Sequence, residues 1–399
     1  MKQCFLTFAA IAVASTAQAG MIPLTDYGVF AGGSLNTGSN VMTTNVFQIG
    51  TNGNFHSHGG GSGAQFVHVG GNYSSGSNVD LGSNVTPADL IVTGNVNLGG
   101  GYEIYGSVHA GGTITGGSNV KVHQDLISLG SMNLGGGTTV DGMVHSGGNV
   151  AFGSNSTVSG GVFASGTVSA GGGSNIGTPQ TGVAAPTPLT FTPVVMPGFS
   201  SGNAVDAGAS NLNVGGGGAL SLDPGSYGAL TTGSNATITL SPGEYHFNSI
   251  NLGGGTKFDV SAGPVTIYVA GNIVTGSNAQ FIGNASQIYI EALGTSNFGG
   301  GTQVLGTLLS NNITTGSNVK ATGALYALNA IDLGGGTHVN FQLASNLPSQ
   351  FQIPDTTDPT GPTDLNPVPE PGSLALLGFG GLGLAGWRRR KAQREAAKA

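Results

Sequence analysis

From Leu90 the chain repeats itself every 18 residues, and this period constrains its fold more than any other feature. Five consecutive lines can be written beneath one another without a gap: LIVTGNVNLGGGYEIYGS, VHAGGTITGGSNVKVHQD, LISLGSMNLGGGTTVDGM, VHSGGNVAFGSNSTVSGG and VFASGTVSAGGGSNI. Position 1 reads Leu90, Val108, Leu126, Val144 and Val162, and position 7 reads Val96, Ile114, Met132, Val150 and Val168. Position 15 reads Ile104, Val122, Val140, Val158 and Ile176. Positions 5 and 10 are glycine in every line, from Gly94 to Gly166 and from Gly99 to Gly171. Strict recurrence lets each line lie on the last, with equivalent residues about 4.8 Å apart on parallel strands. The three apolar columns then point inward from three short faces. The glycine columns are expected at corners, where glycine takes a positive φ at no steric cost. Independent antiparallel hairpins would not demand one register over five lines.

The expected fold is all-β, a parallel β-solenoid (β-helix) with the 18-residue coil of the repeat, and the general rule for parallel crossovers favours a right-handed one. Composition agrees with this. Of 399 residues, 75 are glycine and 7% are charged. Glycine costs about 1 kcal/mol per helical position relative to alanine, so a helical enzyme is hard to build from such a chain. Collagen is excluded because no Gly-X-Y period runs through the sequence. Position 12 carries a second period, Gly101, Asn119, Gly137, Asn155, Gly173, which makes the unit two coils long. Asparagine tolerates left-handed turn geometry, and because it skips every other coil no continuous asparagine ladder is expected at this corner.

The same two words recur elsewhere. Gly-Ser-Asn begins at Gly233, Gly276 and Gly316, Leu-Gly-Gly-Gly-Thr at Leu252 and Leu333, and Phe298 opens a variant. Their uneven spacing indicates loop insertions, and Gly38, Gly76 and Gly82 open irregular early coils. Between the two regions Thr178 to Ser200 breaks the pattern with Pro179, Pro186, Pro188, Pro193 and Pro197. The expected organisation is a signal peptide over 1–19, a solenoid segment over 20–177 and a Pro-rich linker or excursion over 178–200. A second solenoid segment over 201–347, a Pro-rich spacer over 348–367 and a sorting signal over 368–399 complete it.

Both ends carry addresses. Lys2, the apolar run Phe5 to Val13 and Ala17-Gln18-Ala19 have the order of a secretory signal peptide cut after Ala19. Cys4, the sole cysteine, lies inside that leader. At the other end Pro369-Glu370-Pro371 precedes an apolar run from Leu374 to Trp387, and Arg388-Arg389-Arg390-Lys391 follows. The run is short against the roughly 20 residues of a comfortable bilayer span, and its five glycines weaken it as a permanent one. A short transmembrane helix over 374–387, held until processing, with its basic flank in the cytoplasm, fits better. This tail resembles the PEP-CTERM sorting signal, also known as the ice-binding protein C-terminal domain. The resemblance implies recognition by an exosortase, a membrane cysteine transpeptidase, in a Gram-negative, polysaccharide-producing bacterium. The body resembles β-solenoid adhesin-like domains found ahead of such tails and, more loosely, the bactofilin β-helix.

Candidate chemistry is sparse. Between Gly20 and Pro371 sixteen acidic residues face three basic ones, Lys121, Lys257 and Lys320, a net of −13. Nucleic-acid binding, which needs phosphate-neutralising cations, is excluded. His56 and His58 form an HxH in a Gly-rich stretch with His68 nearby in sequence; they could contribute to a metal site, but with no further ligand in view a solvated polar loop is the expected reading. His109 and His145 share position 2 two coils apart, hence about 10 Å, too far for one ion, and are expected at the surface. Asp80, Asp125, Asp141, Asp223, Asp259, Glu291 and Asp332 share no column and form no pair for acid–base work on glycosides. No catalytic, cofactor or metal residue is assigned. Ala17, Ala19, Pro369, Glu370, Pro371, Arg388, Arg389 and Arg390 are the expected processing residues.

The expected function is that of an exported, exosortase-sorted structural or adhesin-like protein of the cell surface or exopolysaccharide matrix, without catalytic activity. Its expected partners are signal peptidase, an exosortase-type enzyme, extracellular polysaccharide and, transiently, the membrane. A glycan- or ice-binding solenoid stands as the alternative, and a β-helix polysaccharide-active enzyme behind it. A regular Thr-x-Thr column would favour ice, and only Thr113-Ile114-Thr115 comes close.

Overall fold

A computed structural model describes residues 23–45, 48–58, 64–200 and 207–351. The signal peptide, the sorting tail and their processing residues lie outside the described residues. Among these, the strands join into one 31-stranded and one five-stranded ladder, and every pairing between strands is parallel. No α-helix occurs among them.

The 18-residue columns become register partners. Val108 pairs with Leu90 and Leu126, Ile114 with Val96 and Met132, and Val122 with Ile104 and Val140. These inward residues are almost wholly buried in one continuous core, with Val168 of the last coil half-buried. Position 3 shrinks to Ala110, Ser128, Ser146 and Ala164, all fully buried. The serine hydroxyls there donate to the Gly130 carbonyl, at 2.7 Å from Ser128 and 2.8 Å from Ser146.

The corners are held by two different devices. At one, an asparagine side chain accepts the backbone N–H of the following coil. Asn54 Oδ1 takes the Asn72 amide, Asn72 that of Asn95, Asn95 that of Thr113 and Asn149 that of Thr167, each at 2.8 Å. At position 12 every residue is left-handed, with φ of 69° at Gly101, 59° at Asn119, 73° at Gly137 and 59° at Asn155. Here the alternation has a steric cause. The Oδ1 of Asn119 lies 2.4 Å from where a Cβ on Gly137 would stand, and Asn155 bears the same relation to Gly173. An asparagine therefore requires glycine on the next coil, whereas a glycine leaves room for asparagine after it. Asn235–Gly255, Asn278–Gly301 and Asn318–Gly336 repeat the geometry in the other half.

The two solenoid segments expected on either side of the Pro-rich stretch are one stack. Val29 pairs with Leu325 on one side and Ile49 on the other, and Leu35 pairs with Ile331 and Phe55. The coil at 27–44 thus lies between the last coil, 320–341, and the coil beginning at Gln48. The chain enters mid-stack, climbs to one end at 162–181, crosses to the opposite end at 207–222 and returns to the seam. The described residues form one compact unit.

The crossing is made by the Pro-rich segment, which is a strap packed along one face rather than a free linker. Residues 184–200 carry no ladder, as four prolines in this span dictate. They pass His145, His109, His68, Asn52 and Glu291 in turn. That path crosses about nine coil spacings, roughly 43 Å. Sixteen residues in polyproline-like extension reach about 50 Å. Asn52 clamps the strap from both sides, its Nδ2 donating to the Val194 carbonyl at 2.7 Å and its Oδ1 accepting the Val194 N–H at 2.8 Å.

Candidate functional site

Each coil presents three outward surfaces, and the fold treats them differently. The first is covered. Its outward column runs Ser226, His246, Tyr268, Glu291, Leu309, Tyr326, Phe30, Gly50, His68, Ile91, His109, Ile127, His145 and Phe163. Large apolar members of this column join Phe191 and Val194 of the strap and Phe351 in a second core. His68 is sandwiched between Phe66 and Phe191, and the Tyr27 hydroxyl lies 2.8 Å from its Nδ1. Burial lowers its pKa to about 4. His109, expected at the surface, is buried, because the strap crosses it and the Leu189 N–H donates to its Nδ1 at 3.3 Å. Burial lowers its pKa as well, against the pull of Asp89 and Asp125. His145 is half-buried, 3.1 Å from the Ala184 carbonyl.

Glu291 is fully buried at the foot of the strap. It accepts the Ser200 N–H at 2.8 Å and hydroxyl at 3.1 Å, the Tyr289 hydroxyl at 2.7 Å and the Gln350 amide at 3.0 Å. A carboxylate so saturated ties the strap and the end of the described chain to the body.

The second surface is open. Along the stack its outward column reads Asn213, Thr231, Asn251, Val274, Asn297, Thr314, Asp332 and, across the seam, Asn36, His56, Ser74, Asn97, Thr115, Asn133, Ala151 and Ser169. All are exposed or half-buried. Amides and hydroxyls spaced by the parallel ladder, about 4.8 Å apart, make a flat strip of donors and acceptors with Asp332 as its carboxylate. His56 belongs to this strip. Its Nδ1 lies 2.6 Å from Ser74 Oγ, and its ring meets that of His58 edge-on at 4.2 Å. Burial first, then His58, lowers its pKa. His58 Nδ1 lies 2.9 Å from the Thr37 carbonyl. His68 points from another surface, so the three histidines do not meet.

The third surface carries the charge. Lys257, Gln280, Gln303, Lys320 and His338 follow one another in register, and so do Asp80, Glu103, Lys121 and Thr139. The three lysines of the body, dispersed in sequence, thus all face this side. His123 bridges Glu103 at 2.8 Å and Asp141 at 3.0 Å, with Tyr105 stacked on its ring at 4.6 Å. The hydrogen bond from His123, reinforced by Lys121, holds the Glu103 carboxyl below its ordinary range. Other carboxylates serve the backbone or a neighbouring hydroxyl. Asp125 accepts the Met143 N–H at 2.9 Å, Asp259 the Ser261 N–H at 2.9 Å and Asp223 the Ser241 hydroxyl at 3.1 Å. Among the described residues no group of three or more His, Cys, Asp or Glu is placed to hold a metal ion.

The candidate site is therefore the second surface, a repeated strip that can hydrogen-bond an extended polar polymer at many weak points. Sequence reasoning identified the inward columns and missed this contrast between outward ones. Position 2 reads Ile91, His109, Ile127, His145, Phe163, whereas position 8 reads Asn97, Thr115, Asn133, Ala151, Ser169, a difference visible in the repeat itself.

No curated protein matches this chain. Among solved structures it is similar to an ice-binding protein from an Antarctic bacterium of the Flavobacteriaceae, at 13% identity and a TM-score of 0.25, over 81% of this chain and 98% of that one. It is also similar to a possible adhesin C-terminal domain from Caldicellulosiruptor kronotskyensis, at 12% identity and a TM-score of 0.31, over 81% and 94%. Residues 367–391 match the PEP-CTERM protein-sorting motif, which covers Pro369-Glu370-Pro371, the apolar run and the arginine cluster. The chain thus carries, behind an all-β parallel solenoid, a PEP-CTERM sorting motif, the mark of export, processing by an exosortase-type enzyme and sorting to the cell surface.

Proposed function

We propose that this is a non-catalytic structural or adhesin-like protein of the cell surface or exopolysaccharide matrix, and that its open strip binds neutral polysaccharide. The sorting motif supports the cell-surface part of this reading. The strip supports the second, because Asn, Thr and Ser match hydroxyl-rich chains in hydrogen-bonding character and Asp332 is its one carboxylate. Each contact on so flat a surface is weak, and many in line act together through effective concentration. The host is expected to be a Gram-negative polysaccharide producer, with the protein tethered in the membrane before processing. The test is localisation in cells with and without the exopolysaccharide locus. Retention at the surface should fall when the polysaccharide is missing, and unchanged retention would reject the matrix role. Turnover of a polysaccharide by the purified protein, abolished by one carboxylate substitution, would reject the non-catalytic reading. Ice binding has less support, since threonine occupies only positions 231, 314 and 115 of the strip, and thermal hysteresis would reveal it.

A further inference from the structure

Both ends of the stack are unfinished. Inside the stack each corner glycine sits against the backbone or asparagine of the adjacent coil, so that a Cβ on Gly153 would come within 2.3 Å of Gly136. At the ends, a Cβ on Gly172 or Gly177 on one side, or on Gly215 or Gly217 on the other, would meet nothing within 4 Å among the described residues. Val168 at one end and Leu212, Val214 and Leu220 at the other are half-buried where their interior counterparts are sealed. Solenoids normally close their ends with a polar capping repeat, and sheet edges are normally protected by charges or proline. Residues 162–181 contain no charged side chain and one proline, and residues 207–222 contain neither charge nor proline.

The two ends are also complementary. Within the stack the amide of each left-handed corner residue donates to the next coil, as Asn155 N–H does to the Gly172 carbonyl at 3.1 Å. At the 162–181 end the Gly173 amide has no such partner among the described residues, and at the 207–222 end the Gly216 carbonyl has none. By the alternation of a parallel ladder, the amides and carbonyls of Val168 and Ala170 point off one end. The Asn211 carbonyl, both groups of Asn213 and the Gly215 amide point off the other. The corner rule permits the junction too, since Gly173 would meet Gly217 and no asparagine would face another.

We propose that the 162–181 end of one copy docks on the 207–222 end of a second copy of this chain, continuing the parallel ladder head to tail. Such a contact is heterologous and does not close, so it builds open linear assemblies. It is independent of what the open strip binds. The test uses the full chain, with mass measured by light scattering over a concentration series. Wild type should grow beyond a monomer as concentration rises. Val168→Lys should block one end and Leu212→Lys the other, each alone giving monomers, and an equimolar mixture should give dimers and nothing larger. Association through the apolar tail would be insensitive to either change. If either variant loses its circular-dichroism signature, Ala170→Lys and Ala219→Lys take their place, because both side chains are already exposed. A wild type that stays monomeric at all concentrations overturns the proposal, as does association that survives both variants unchanged.

Discussion

The Gly–Asn alternation at position 12 can be tested with a two-residue cycle. Gly137 and Gly217 have nearly the same backbone, with φ of 73° and 70°. A Cβ on Gly217 would meet nothing within 4 Å, whereas one on Gly137 would lie 2.4 Å from Asn119 Oδ1. Both alanine variants carry the left-handed penalty of about 1–2 kcal/mol. Gly137→Ala adds overpacking, about 1–3 kcal/mol. At the lower end of the roughly 2–4 °C per kcal/mol typical of smaller units, the excess is a drop of about 2–6 °C in melting midpoint. Asn119→Gly removes the obstructing oxygen, so in its background Gly137→Ala should cost no more than Gly217→Ala. The coupling energy of the cycle should equal the overpacking term. Thermal melts of the four proteins of the cycle and of Gly217→Ala decide it. Equal costs for the two alanine variants, or a coupling near zero, would show that the asparagine does not impose its neighbour.

Val150→Asp puts an unpaired carboxylate into the core and should cost about 3 kcal/mol or more, whereas His145→Asp, half-buried beneath the strap, should cost about 1 kcal/mol. Similar melting points would mean the inward and outward columns are misassigned. The depressed pKa of His68, about 4 against an unfolded value of 6.5, gives stability that is full above pH 6.5 and lost as pH falls toward 4. The loss amounts to about 3 kcal/mol, and melts of His68→Leu should show correspondingly less loss over that window. Intact mass of surface-extracted protein should show cleavage after Ala19 and near Pro369-Glu370-Pro371; a mature species that keeps Arg388 to Ala399 would make the tail a plain anchor. Thr115→Glu with Asn133→Glu, on the open strip, should release the protein from a polysaccharide affinity gel about 5–150-fold more easily, for two lost contacts of about 0.5–1.5 kcal/mol each. Thr139→Glu with Thr157→Glu, the next register position on the charged surface, should not, and an equal effect from both pairs would sink the assignment of the strip.

The sequence made the coil legible because its signals are local and repeated. Val96, Ile114, Met132 and Val150 recur at one spacing and stack at one height. The left-handed corners, however, fall at Gly101 and Gly137 and not at the glycines of positions 5 and 10, which are glycine because the adjacent coil approaches too closely for a Cβ. What escaped were long-range choices that leave no period. The seam joins residues about 300 positions apart, as Val29 does with Leu325. The strap has no repeat, and its prolines suggested a spacer, although Phe191, Val194 and the large residues of position 2 require each other's cover. The exposed position assigned to His109 failed for the same reason. An outward side chain on a solenoid is exposed only where nothing crosses it.

The seam also shows what the alternation accomplishes. Along the stack the left-handed corner runs Gly217, Asn235, Gly255, Asn278, Gly301, Asn318, Gly336 and then, across the seam, Asn40. The Gly336 N–H donates to the Ser39 carbonyl at 2.8 Å, the bond that joins successive coils elsewhere. Two coils beyond Asn40 the corner is again asparagine, Asn78, followed by Gly101. The phase is therefore kept between parts of the chain that are far apart in sequence and adjacent only after folding. A uniform repeat would let the returning half dock one coil too high or too low at little cost, because the apolar columns are nearly interchangeable. With alternation, omitting the last returning coil from the junction would set Asn40 upon Asn318, where the close approach of the asparagine oxygen leaves no space for a Cβ. Only a slip of two coils restores the phase, and that would displace the strap clamps at Asn52 and Glu291 by about 10 Å from Val194 and Ser200. The two-coil period and the strap together specify one register for a fold whose single-coil repeat would permit several.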